Sequence, residues 1–204
     1  CFREEIHELP ADIWLFQGLP KSDKMELILQ KAVELGVRGI VPLESRNTVV
    51  RLNPGKAAAK RQRWQGIAEA AAKQSKRSII PEVTLPMRWK DALSLLPDFS
   101  LRLIPYENAR GAERTRELLL DLRELRGAVD RPSEKGAEAE NEKKTPDRRR
   151  KIAVFIGPEG GFSEEEIAEA RAAGMECLSL GKRILRTETA ALCALSLLML
   201  FLED

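Results

Sequence analysis

The stretch KIAVFIGPEGGFSEEEIAEA, residues 151–170, contains the feature around which the fold is organised. Ile152 to Ile156 is a short apolar run, rich in β-branched residues and bounded by turn residues, as is typical of a buried strand. Ser163 and Glu166 have the spacing of a capping box, which marks the start of a helix. The sequence therefore predicts a buried strand, a glycine-rich loop and a sharply defined helix start, in that order.

The residues of this loop indicate which ligand it could hold. Gly160 and Gly161 can take positive φ or let a ligand approach the backbone, while Pro158 fixes φ and withholds an N–H. Glutamates at Glu159 and Glu164–Glu166 crowd a helix start that a phosphate-binding loop would leave open for an anion, and neither GxxxxGK[ST] nor GxGxxG is present. The loop favours an adenosine-type ligand without phosphate, or a cationic one. A purely structural turn with solvated glutamates stays open as the alternative.

The rest of the chain alternates between helical and strand-like hydrophobic periods, which is typical of βαβ units. Strands are predicted at Asp12–Gln17, Val37–Pro42, Ser78–Val83, Leu101–Ile104, Ile152–Ile156 and Met175–Leu180, with a short strand end at Val49–Val50. Helices are predicted at Ser22–Leu35, Lys56–Lys76, Trp89–Leu96, Ala112–Leu125 and Ala190–Leu202. The sequence thus predicts one α/β domain over residues 1–204, in which helices flank a mostly parallel sheet.

One segment departs from this pattern. From about Gly127 to Arg150 the chain is dense in both charges and nearly free of large apolar residues. Such a segment cannot bury enough surface to become ordered, so we expect a mobile surface insertion there.

The composition excludes several classes of protein. The chain has 34 Lys and Arg against 32 Asp and Glu, and a net charge of +2 is too small to argue for nucleic-acid binding by itself. A single histidine, His7, leaves almost no room for a Ser/His/Asp triad or a histidine-rich metal site. Cys1, Cys177 and Cys193 show no metal-binding spacing and suit a reduced, cytosolic setting. The longest apolar run, Ala190–Leu202, is well short of the roughly 20 residues that span a bilayer. We therefore expect neither a metal nor a membrane partner.

A second loop, LSLGKRILRTETAA at residues 178–191, precedes the apolar C-terminal helix. Arg186 and Glu188 stand at the edge of this buried element, where charges are retained only if they are paired or used. A salt bridge, either mutual or between two chains, is the alternative to a catalytic role. Because Ala190–Leu202 is apolar on nearly every side, we also predict a homodimer whose interface uses this helix.

The predicted helix at Lys56–Lys76 is strongly basic and contains Trp64, with Glu69 as its one acidic residue. A solvated helix face is the usual explanation for such charge, and we favour it for most of these residues. A basic run that includes an aromatic residue also suits a phosphate-rich partner such as RNA.

Taken together, six stretches resemble one family, the bacterial ribosomal RNA methyltransferases of the knotted SPOUT class that methylate N3 of a uridine in 16S RNA. The matching stretches are IGPEGGFSEEEI (156–167), LSLGKRILRTETAAL (178–192), KSDKMELILQKAVELGV (21–37), PLESR (42–46), RWQGIAEAAAKQSKR (63–77) and LIPYENA (103–109). The resemblance covers nearly the whole chain apart from the charged insertion. It implies a C-terminal trefoil knot, S-adenosyl-L-methionine as cofactor, small-subunit ribosomal RNA as substrate, a homodimer and a cytoplasmic location.

The resemblance also implies residue roles. The cofactor pocket would be lined by Ile104, Pro105, Gly157, Pro158, Glu159, Gly160, Gly161, Leu180, Gly181, Ile184, Leu185 and Arg186. For catalysis we expect Arg186 to stabilise negative charge on the uracil carbonyl oxygens, with Glu188 orienting it or helping to remove the proton. Residues outside the cofactor loops that would contact RNA are Lys24, Arg46, Arg63, Gln74 and Arg77.

The chain departs from the family pattern in two places. It carries the charged insertion, and it starts at Cys1 without the small N-terminal domain, similar to a PUA module, that helps the family to grip RNA. We therefore expect the chain to be a fragment of a longer protein. Two other functions remain open: a knotted methyltransferase with another RNA target, such as a ribose 2′-hydroxyl or a transfer RNA base, and a non-catalytic RNA-binding or ribosome-assembly module.

Overall fold

The computed structural model describes residues 7–106, 113–129 and 150–203, and it confirms the predicted α/β fold. The strands are β1 (Ala11–Gly18), β2 (Gly39–Glu44), β3 (Glu82–Val83), β4 (Met87–Arg88), β5 (Leu101–Pro105), β6 (Arg150–Ile156) and β7 (Glu176–Leu178). The helices are α1 (Lys24–Glu34), α2 (Pro54–Gln74), α3 (Trp89–Ser94), α4 (Glu113–Val129), α5 (Glu164–Ala172) and α6 (Thr187–Glu203), with a 3₁₀ turn at Leu96–Asp98.

The described strands pair in parallel, in the order β3-β2-β1-β6-β5-β7, and β4 is a further partner of β2. Because successive side chains of a strand point to opposite faces, β6 serves two cores. Ile152 and Val154 pack with α1, α2, α4 and α6, whereas Ala153 and Phe155 pack with α3 and α5. Both faces of the sheet are therefore covered, as a parallel sheet requires. The trefoil knot implied by the resemblance stays a prediction.

The second core is organised by aromatic rings. Phe16 of β1 stacks on Phe155 of β6 with ring centroids 4.2 Å apart. Trp89 at the start of α3 meets the edge of Phe155 and also contacts Phe162, which follows the glycine loop. The glycine loop is thus anchored to the core at the residue just before α5.

Most predicted elements differ from the structure by one or two residues at an end, as β7 does (Glu176–Leu178 where Met175–Leu180 was predicted), and three predictions were wrong by more. The strand predicted at Ser78–Val83 is confined to Glu82–Val83, because Pro81 has no N–H to contribute to a ladder. The predicted strand end at Val49–Val50 is not a strand, and Val49 is 68% exposed. The C-terminal helix begins at Thr187 instead of Ala190, since the Arg186 carbonyl already accepts the first helical hydrogen bond from Ala190 N at 2.8 Å.

The ends of the charged insertion also differ from the prediction. Helix α4 continues to Val129, and β6 begins at Arg150. The predicted mobility of the remainder, residues 130–149, lies outside the described residues. None of the helices in the described ranges has the length and apolar character to cross a membrane.

The topology places four connections at one edge of the sheet. Strands β1 and β6 are neighbours, and the chain leaves β1 toward β2 on one side but reaches β5 and β7 on the other. In open parallel sheets, ligands bind outside the carboxyl ends of the strands at such a switch point. The segments that follow β1, β5, β6 and β7 meet there.

Candidate active site

A cavity of about 560 Å³ opens at this edge of the sheet. It is lined by Lys24, Pro105, Tyr106, Ile156, Gly157, Pro158, Glu159, Gly160, Gly161, Phe162, Leu180, Gly181, Arg183, Ile184, Leu185, Arg186, Thr187 and Ala190. The structure therefore brings all the predicted cofactor residues together except Ile104. That side chain is fully buried in the second core, directly beneath the cavity wall formed by Pro105.

The glycine loop, which we define as Gly157–Ser163, has a tightly specified backbone. Gly161 has φ of 64°, a conformation that favours glycine, and its N–H bonds the Pro158 carbonyl at 2.9 Å. The Asn47 amide donates to the carbonyl oxygens of Gly160 (2.9 Å) and Gly161 (3.3 Å). Asn47, in the segment that follows β2, thus fixes the position of the glycine loop through its backbone carbonyl groups.

Close backbone packing fixes the loop from below. A Cβ on Gly18, the last residue of β1, would lie 2.4 Å from Pro158 N and 2.6 Å from Pro158 Cδ. Real Cβ atoms do not approach a backbone nitrogen so closely, so only glycine fits at the end of this strand. The end of β1 therefore packs directly against the backbone of the glycine loop.

A buried chain of hydrogen bonds ties the glycine loop to α6. Gln17 Nε2 donates to Thr187 Oγ1 at 2.8 Å, and Thr187 Oγ1 donates to the Gly157 carbonyl at 2.6 Å. Gln17 is fully buried and Thr187 is 5% exposed. Because buried polar groups are costly when unpaired, this chain of hydrogen bonds fixes the distance between the glycine loop and the start of α6.

Glu166 has two structural roles at the start of α5. Ser163 N donates to Glu166 Oε2 at 2.9 Å and Glu166 N donates to Ser163 Oγ at 3.2 Å, which confirms the predicted capping box. Its other oxygen, Oε1, accepts from Arg46 N at 2.7 Å. Glu166 is 6% exposed, so the alternative of solvated glutamates was wrong for this residue. Glu164 and Glu165, by contrast, are exposed.

Lys24, at the start of α1, joins the glycine loop and the start of α6 electrostatically. Its ammonium lies 3.2 Å from Glu159 Oε1 and 3.4 Å from Glu188 Oε2. Glu159 also accepts from Lys21 N at 3.0 Å. Partial burial opposes ionisation of Glu159, but the backbone N–H groups of Glu159 and Lys21 together with Lys24 outweigh it. They hold the pKa of Glu159 below its usual value.

Glu188 lies beside the cavity and is not among its lining residues. Its side chain is 17% exposed, and its Oε2 atom is buried without a hydrogen-bond partner in the described part of the chain. The contact with Lys24 is therefore an ion pair without the alignment of a hydrogen bond. The alternative of a mutual salt bridge between Arg186 and Glu188 is wrong, because the cation beside Glu188 is Lys24.

The second loop, which we define as Leu180–Arg186, is far less enclosed. Ile184 is 83% exposed although it lines the cavity. Arg186 is exposed, lines the cavity and forms no ion pair with any residue that the structure describes. A cation that no carboxylate neutralises is thus available at the rim.

Three of the five predicted RNA contacts are exposed: Arg46, Arg63 and Gln74. Arg46 pairs with Glu165 at 2.9 Å and Arg63 pairs with Glu26 at 2.8 Å, with both arginine side chains more than half exposed. Gln74 is exposed at the last residue of α2. Lys24 instead faces the cavity and its two carboxylates. Such exposed pairs contribute little to stability, so the two arginines can exchange their partners for phosphates.

Arg77 has a different environment. Its side chain is 3% exposed and pairs with Glu8 at 2.6 Å, while Nη1 donates to the carbonyl oxygens of Val33 and Val37. Burial opposes ionisation of Glu8, but hydrogen bonds from Arg77 and Ile79 N outweigh it and hold the pKa of Glu8 below its usual value. Arg77 therefore joins the end of α2 to the end of α1. Because its side chain is buried in this contact, Arg77 is not available to RNA.

Several residues of the site were missed from the sequence. Asn47 and Thr187 bond the glycine loop directly, and Gln17 acts on it through Thr187. Each of these contacts joins residues at least 30 positions apart, so no local pattern reveals them. For Thr187 the sequence did contain one indication of a hydrogen-bonding role. A threonine between two charged residues at the start of an apolar helix is a common place for a hydroxyl that bonds neighbouring backbone.

Comparison with known proteins identifies the family. Residues 7–199 match the RNA methyltransferase domain. Over 193 residues the chain is 35% identical to ribosomal RNA small subunit methyltransferase E from Bacillus subtilis (strain 168), covering 94% of this chain and 67% of that protein. A protein from Legionella pneumophila described as a methyltransferase, in complex with the bound cofactor SAM, has a TM-score of 0.72 at 32% identity, covering 97% of this chain and 69% of that one.

A second solved structure is a ribosomal RNA small subunit methyltransferase E from Neisseria gonorrhoeae bound to S-adenosyl methionine. Its TM-score is 0.68 at 34% identity, covering 93% of this chain and 66% of that one. The chain spans about two thirds of the length of these three relatives. The family match extends over nearly all of the chain and confirms the resemblance carried by the six stretches: the chain belongs to the RNA methyltransferase family.

Proposed function

We propose that this chain transfers the methyl group of S-adenosylmethionine to N3 of a uridine in the 16S ribosomal RNA of the small ribosomal subunit. The observation that carries the proposal is the cavity at the carboxyl edge of the sheet, where the glycine loop and the second loop meet around an unneutralised arginine. The Bacillus relative, which is named as a small-subunit ribosomal RNA methyltransferase, supports the substrate class.

The residues of the cavity fit this cofactor. A volume of about 560 Å³ lies within the roughly 300–1,000 Å³ of small-molecule sites. Pro105, Leu180 and Leu185 supply apolar surface for an adenosine.

Glu159 is the carboxylate of the lining, but Lys24 pairs with it at 3.2 Å and Arg183 and Arg186 line the same cavity, so the charge of the described lining does not discriminate against a phosphate. The glutamates that argued against a phosphate ligand in the sequence do not have that effect in the folded site, because Glu164–Glu166 are not among the residues that line the cavity.

The bound cofactor supplies an electrophilic methyl group, and the chain must make uracil N3 nucleophilic. Loss of the N3 proton leaves negative charge on N3 and on the two carbonyl oxygens of the base, and the N3–C bond that then forms replaces the carbon–sulfur bond of the cofactor. Arg183 and Arg186 are both exposed cations that line the cavity. We assign the role to Arg186, which the family resemblance implies, so that its guanidinium donates hydrogen bonds to these oxygens. Preorganised donors of this kind commonly account for a large part of a rate enhancement.

Glu188 acts through Lys24 in this proposal. Since Glu188 does not line the cavity, it is a positioning residue, and its carboxylate holds the Lys24 ammonium against the wall beside Glu159. Two roles were expected for Glu188: to orient Arg186 or to help remove the proton. We propose an orienting role, but the group that Glu188 orients is Lys24 instead of Arg186. The N3 proton then leaves to water at the exposed second loop.

RNA would contact Arg46, which pairs with α5, and Arg63, which pairs with α1. Both side chains are more than half exposed and have partners that a phosphate can replace. Gln74 is also exposed, at the end of α2. Removal of either arginine charge should weaken RNA binding and lower the slope of binding against salt by about one.

A homodimer is part of the proposal. Helix α6 buries Ala191, Leu195 and Leu198 against its own chain but leaves Leu200 52% exposed. A second copy that covers Leu200 and the neighbouring half-buried residues of α6 would remove this surface from water. Analytical ultracentrifugation that shows only monomer at micromolar concentration would overturn the dimer. A cytoplasmic location, where small subunits are available, also remains a proposal.

The function is tested by incubating small ribosomal subunits that lack the modification with the protein and labelled S-adenosylmethionine. The labelled nucleoside is then identified by mass spectrometry. We expect 3-methyluridine at a single position of the 16S RNA. A 2′-O-methylated nucleoside, or label in transfer RNA, would replace the proposed target with the alternative one. Calorimetry that shows no binding of S-adenosylmethionine would favour the non-catalytic RNA-binding module.

A further inference from the structure

The second loop brings another cation to the first cavity. Arg183 lines this cavity and is exposed, and it forms no ion pair with any residue that the structure describes. Lys24, in the same lining, differs in this respect, because carboxylate oxygens of Glu159 and Glu188 lie 3.2 and 3.4 Å from its ammonium. With Arg186 assigned to the base, Arg183 is the remaining cation of the lining that has neither a partner among the described residues nor a role.

The charge of the cavity favours an anion once the cofactor is bound. The described lining holds three cations and one carboxylate, that of Glu159. S-adenosylmethionine adds a further positive charge at its sulfonium, since the charges of its ammonium and carboxylate groups cancel. Like charges repel more strongly where protein and ligand have displaced water. The uracil anion offsets part of this charge, and a second anion beside Arg183 would offset more of it.

The residues between the two arginines suit one nucleotide. Ile184 and Leu185 separate Arg183 from Arg186, and all four residues line the cavity. Ile184 is 83% exposed, so its apolar side chain is available to the flat face of a base. Three residues of extended chain span at most roughly 11 Å, so the two arginine Cα atoms are no further apart than that. A nucleotide presents an anion, an apolar ring face and carbonyl oxygens over a comparable length.

Two oxyanions are candidates for the contact with Arg183, the α-carboxylate of the cofactor and a phosphate of the RNA. The position of the side chain favours the phosphate. The proposed cofactor occupies the cavity, whereas the backbone of an RNA stays in solvent when one of its bases enters, and Arg183 is exposed at the rim. A guanidinium also binds a phosphate through two parallel N–H groups, and the release of counterions adds to the affinity.

We propose that Arg183 binds a phosphate that flanks the target uridine, while Arg186 contacts the oxygens of its base. The two arginines then hold the two ends of one nucleotide, and Arg183 determines which base of the RNA is presented to the methyl group. The inference rests on the proposed function for its choice of RNA as the ligand. It predicts that Arg183 contributes to substrate affinity, whereas Arg186 contributes to the rate of methyl transfer.

The test compares Arg183→Ala with the unchanged protein. Binding of a labelled 16S RNA fragment that contains the target uridine is measured by fluorescence anisotropy at several salt concentrations. Loss of one phosphate contact should weaken binding by roughly three- to tenfold and lower the slope of binding against salt by about one. In single-turnover methylation, Arg183→Ala should require more RNA to reach half of its maximal rate. Its rate at saturating RNA should stay close to that of the unchanged protein.

A neighbouring residue and a modified RNA provide the controls. Lys182→Ala is the matched variant, because Lys182 is an exposed cation next to Arg183 that does not line the cavity, and its RNA affinity should change less. An RNA with uncharged methylphosphonate linkages on both sides of the target uridine identifies the phosphate. The unchanged protein should bind this RNA more weakly than the ordinary RNA. Arg183→Ala should lose less affinity on the same replacement, because its contact with the phosphate is already gone.

The outcomes distinguish this inference from the proposed function. If the unchanged protein methylates 16S RNA but Arg183→Ala keeps both its RNA affinity and its salt slope, the inference is wrong. Weaker S-adenosylmethionine binding in calorimetry, with RNA affinity unchanged, would assign Arg183 to the cofactor carboxylate and would also overturn it. Since Arg183 is exposed, the free energy of unfolding in urea should not change, which separates either result from misfolding. A lower salt slope for Arg183→Ala, in a protein that transfers no methyl group, would support the inference and refute the proposed function.

Discussion

The two loops that line the first cavity differ in how strongly the rest of the protein holds them. The glycine loop, Gly157–Ser163, is fastened by Asn47, by Thr187 and by the backbone of Gly18. The second loop, Leu180–Arg186, is mostly exposed, and its own hydrogen bonds amount to a long one from Gly181 N to Ser179 Oγ and the first helical bond of α6. Half of the site is therefore rigid before any ligand arrives.

This difference predicts separate roles for the glycine loop and the second loop. A rigid wall can hold the cofactor without paying for loop ordering on binding. A loosely held loop that carries a cation can close on the substrate and then release the product. The cofactor affinity should therefore depend on the residues that fasten the glycine loop, and the rate of methyl transfer should depend on the second loop.

The largest effect should come from Arg186→Ala. Loss of the cation that stabilises the uracil oxygens should lower the rate of methyl transfer by roughly 10²–10³-fold, the usual cost of removing one such donor. Affinity for S-adenosylmethionine should change little, because the glycine loop is intact. Rates from single-turnover methylation and affinities from calorimetry measure the two quantities separately.

Lys182→Ala is the matched control for this experiment. Lys182 is an exposed cation in the same loop and is not among the residues that line the cavity. Its loss should leave the rate within a few-fold of the unchanged protein. Equal losses in both variants would mean that Arg186 contributes only general positive charge.

The second largest effect should come from Gly18→Ala, which tests the rigid half of the site. The new Cβ would meet Pro158 N at 2.4 Å, so the glycine loop must move away from β1. Overpacking of this kind costs about 1–3 kcal/mol, and we expect S-adenosylmethionine affinity to fall by at least tenfold in calorimetry. Gly66→Ala is the control, since nothing lies within 4 Å of a Cβ there. It should leave affinity unchanged and stabilise α2 by up to about 1 kcal/mol.

Thr187→Val should have a smaller effect on the same half. Valine keeps the shape of threonine but leaves the Gly157 carbonyl and Gln17 Nε2 without their shared partner. An unsatisfied buried polar group costs about 1–3 kcal/mol, so the free energy of unfolding in urea should fall by about 2 kcal/mol. Thr189→Val, an exposed position on the same helix, should stay within about 0.5 kcal/mol. Equal stability of the two variants would show that the buried chain of hydrogen bonds contributes nothing.

The parts of the site that were predicted from the sequence are those whose cause is local. The strand β6, the glycine loop and the capping box of Ser163 and Glu166 follow one another within 17 residues, and each follows from the residues next to it. The resemblance added the second loop. Almost all the predicted cofactor residues lie around one cavity because the two loops follow β6 and β7, which run parallel on either side of β5 and so end at the same edge of the sheet.

The parts that were not predicted depend on polar contacts between distant segments. Gln17 and Thr187 are 170 residues apart, and nothing in either stretch indicates the other. Arg77 stands in a basic run, which suggested a surface position, but its partner Glu8 lies 69 residues earlier and buries it. Hydrophobic periodicity shows which face of an element is buried, whereas the pairing of buried charges is set by the fold as a whole.

The smallest effect should be the pH dependence of the contact between the glycine loop and α1. The pKa of Glu159 in the folded protein lies below its usual value of 4.5. Its carboxylate therefore stabilises the folded state fully above about pH 4.5, and this contribution is lost as the pH falls through the lowered pKa. Since Glu159 and Lys24 are both partly exposed, the contribution at neutral pH should not exceed about 1 kcal/mol.

Glu159→Gln should thus lower the free energy of unfolding slightly at pH 7, and the difference between the variant and the unchanged protein should vanish in acid. In a Lys24→Met background the difference at pH 7 should be smaller, because one of the groups that favour the carboxylate is gone. A difference that persists undiminished to low pH would mean that the contact stabilises the loop through packing, without any contribution from charge.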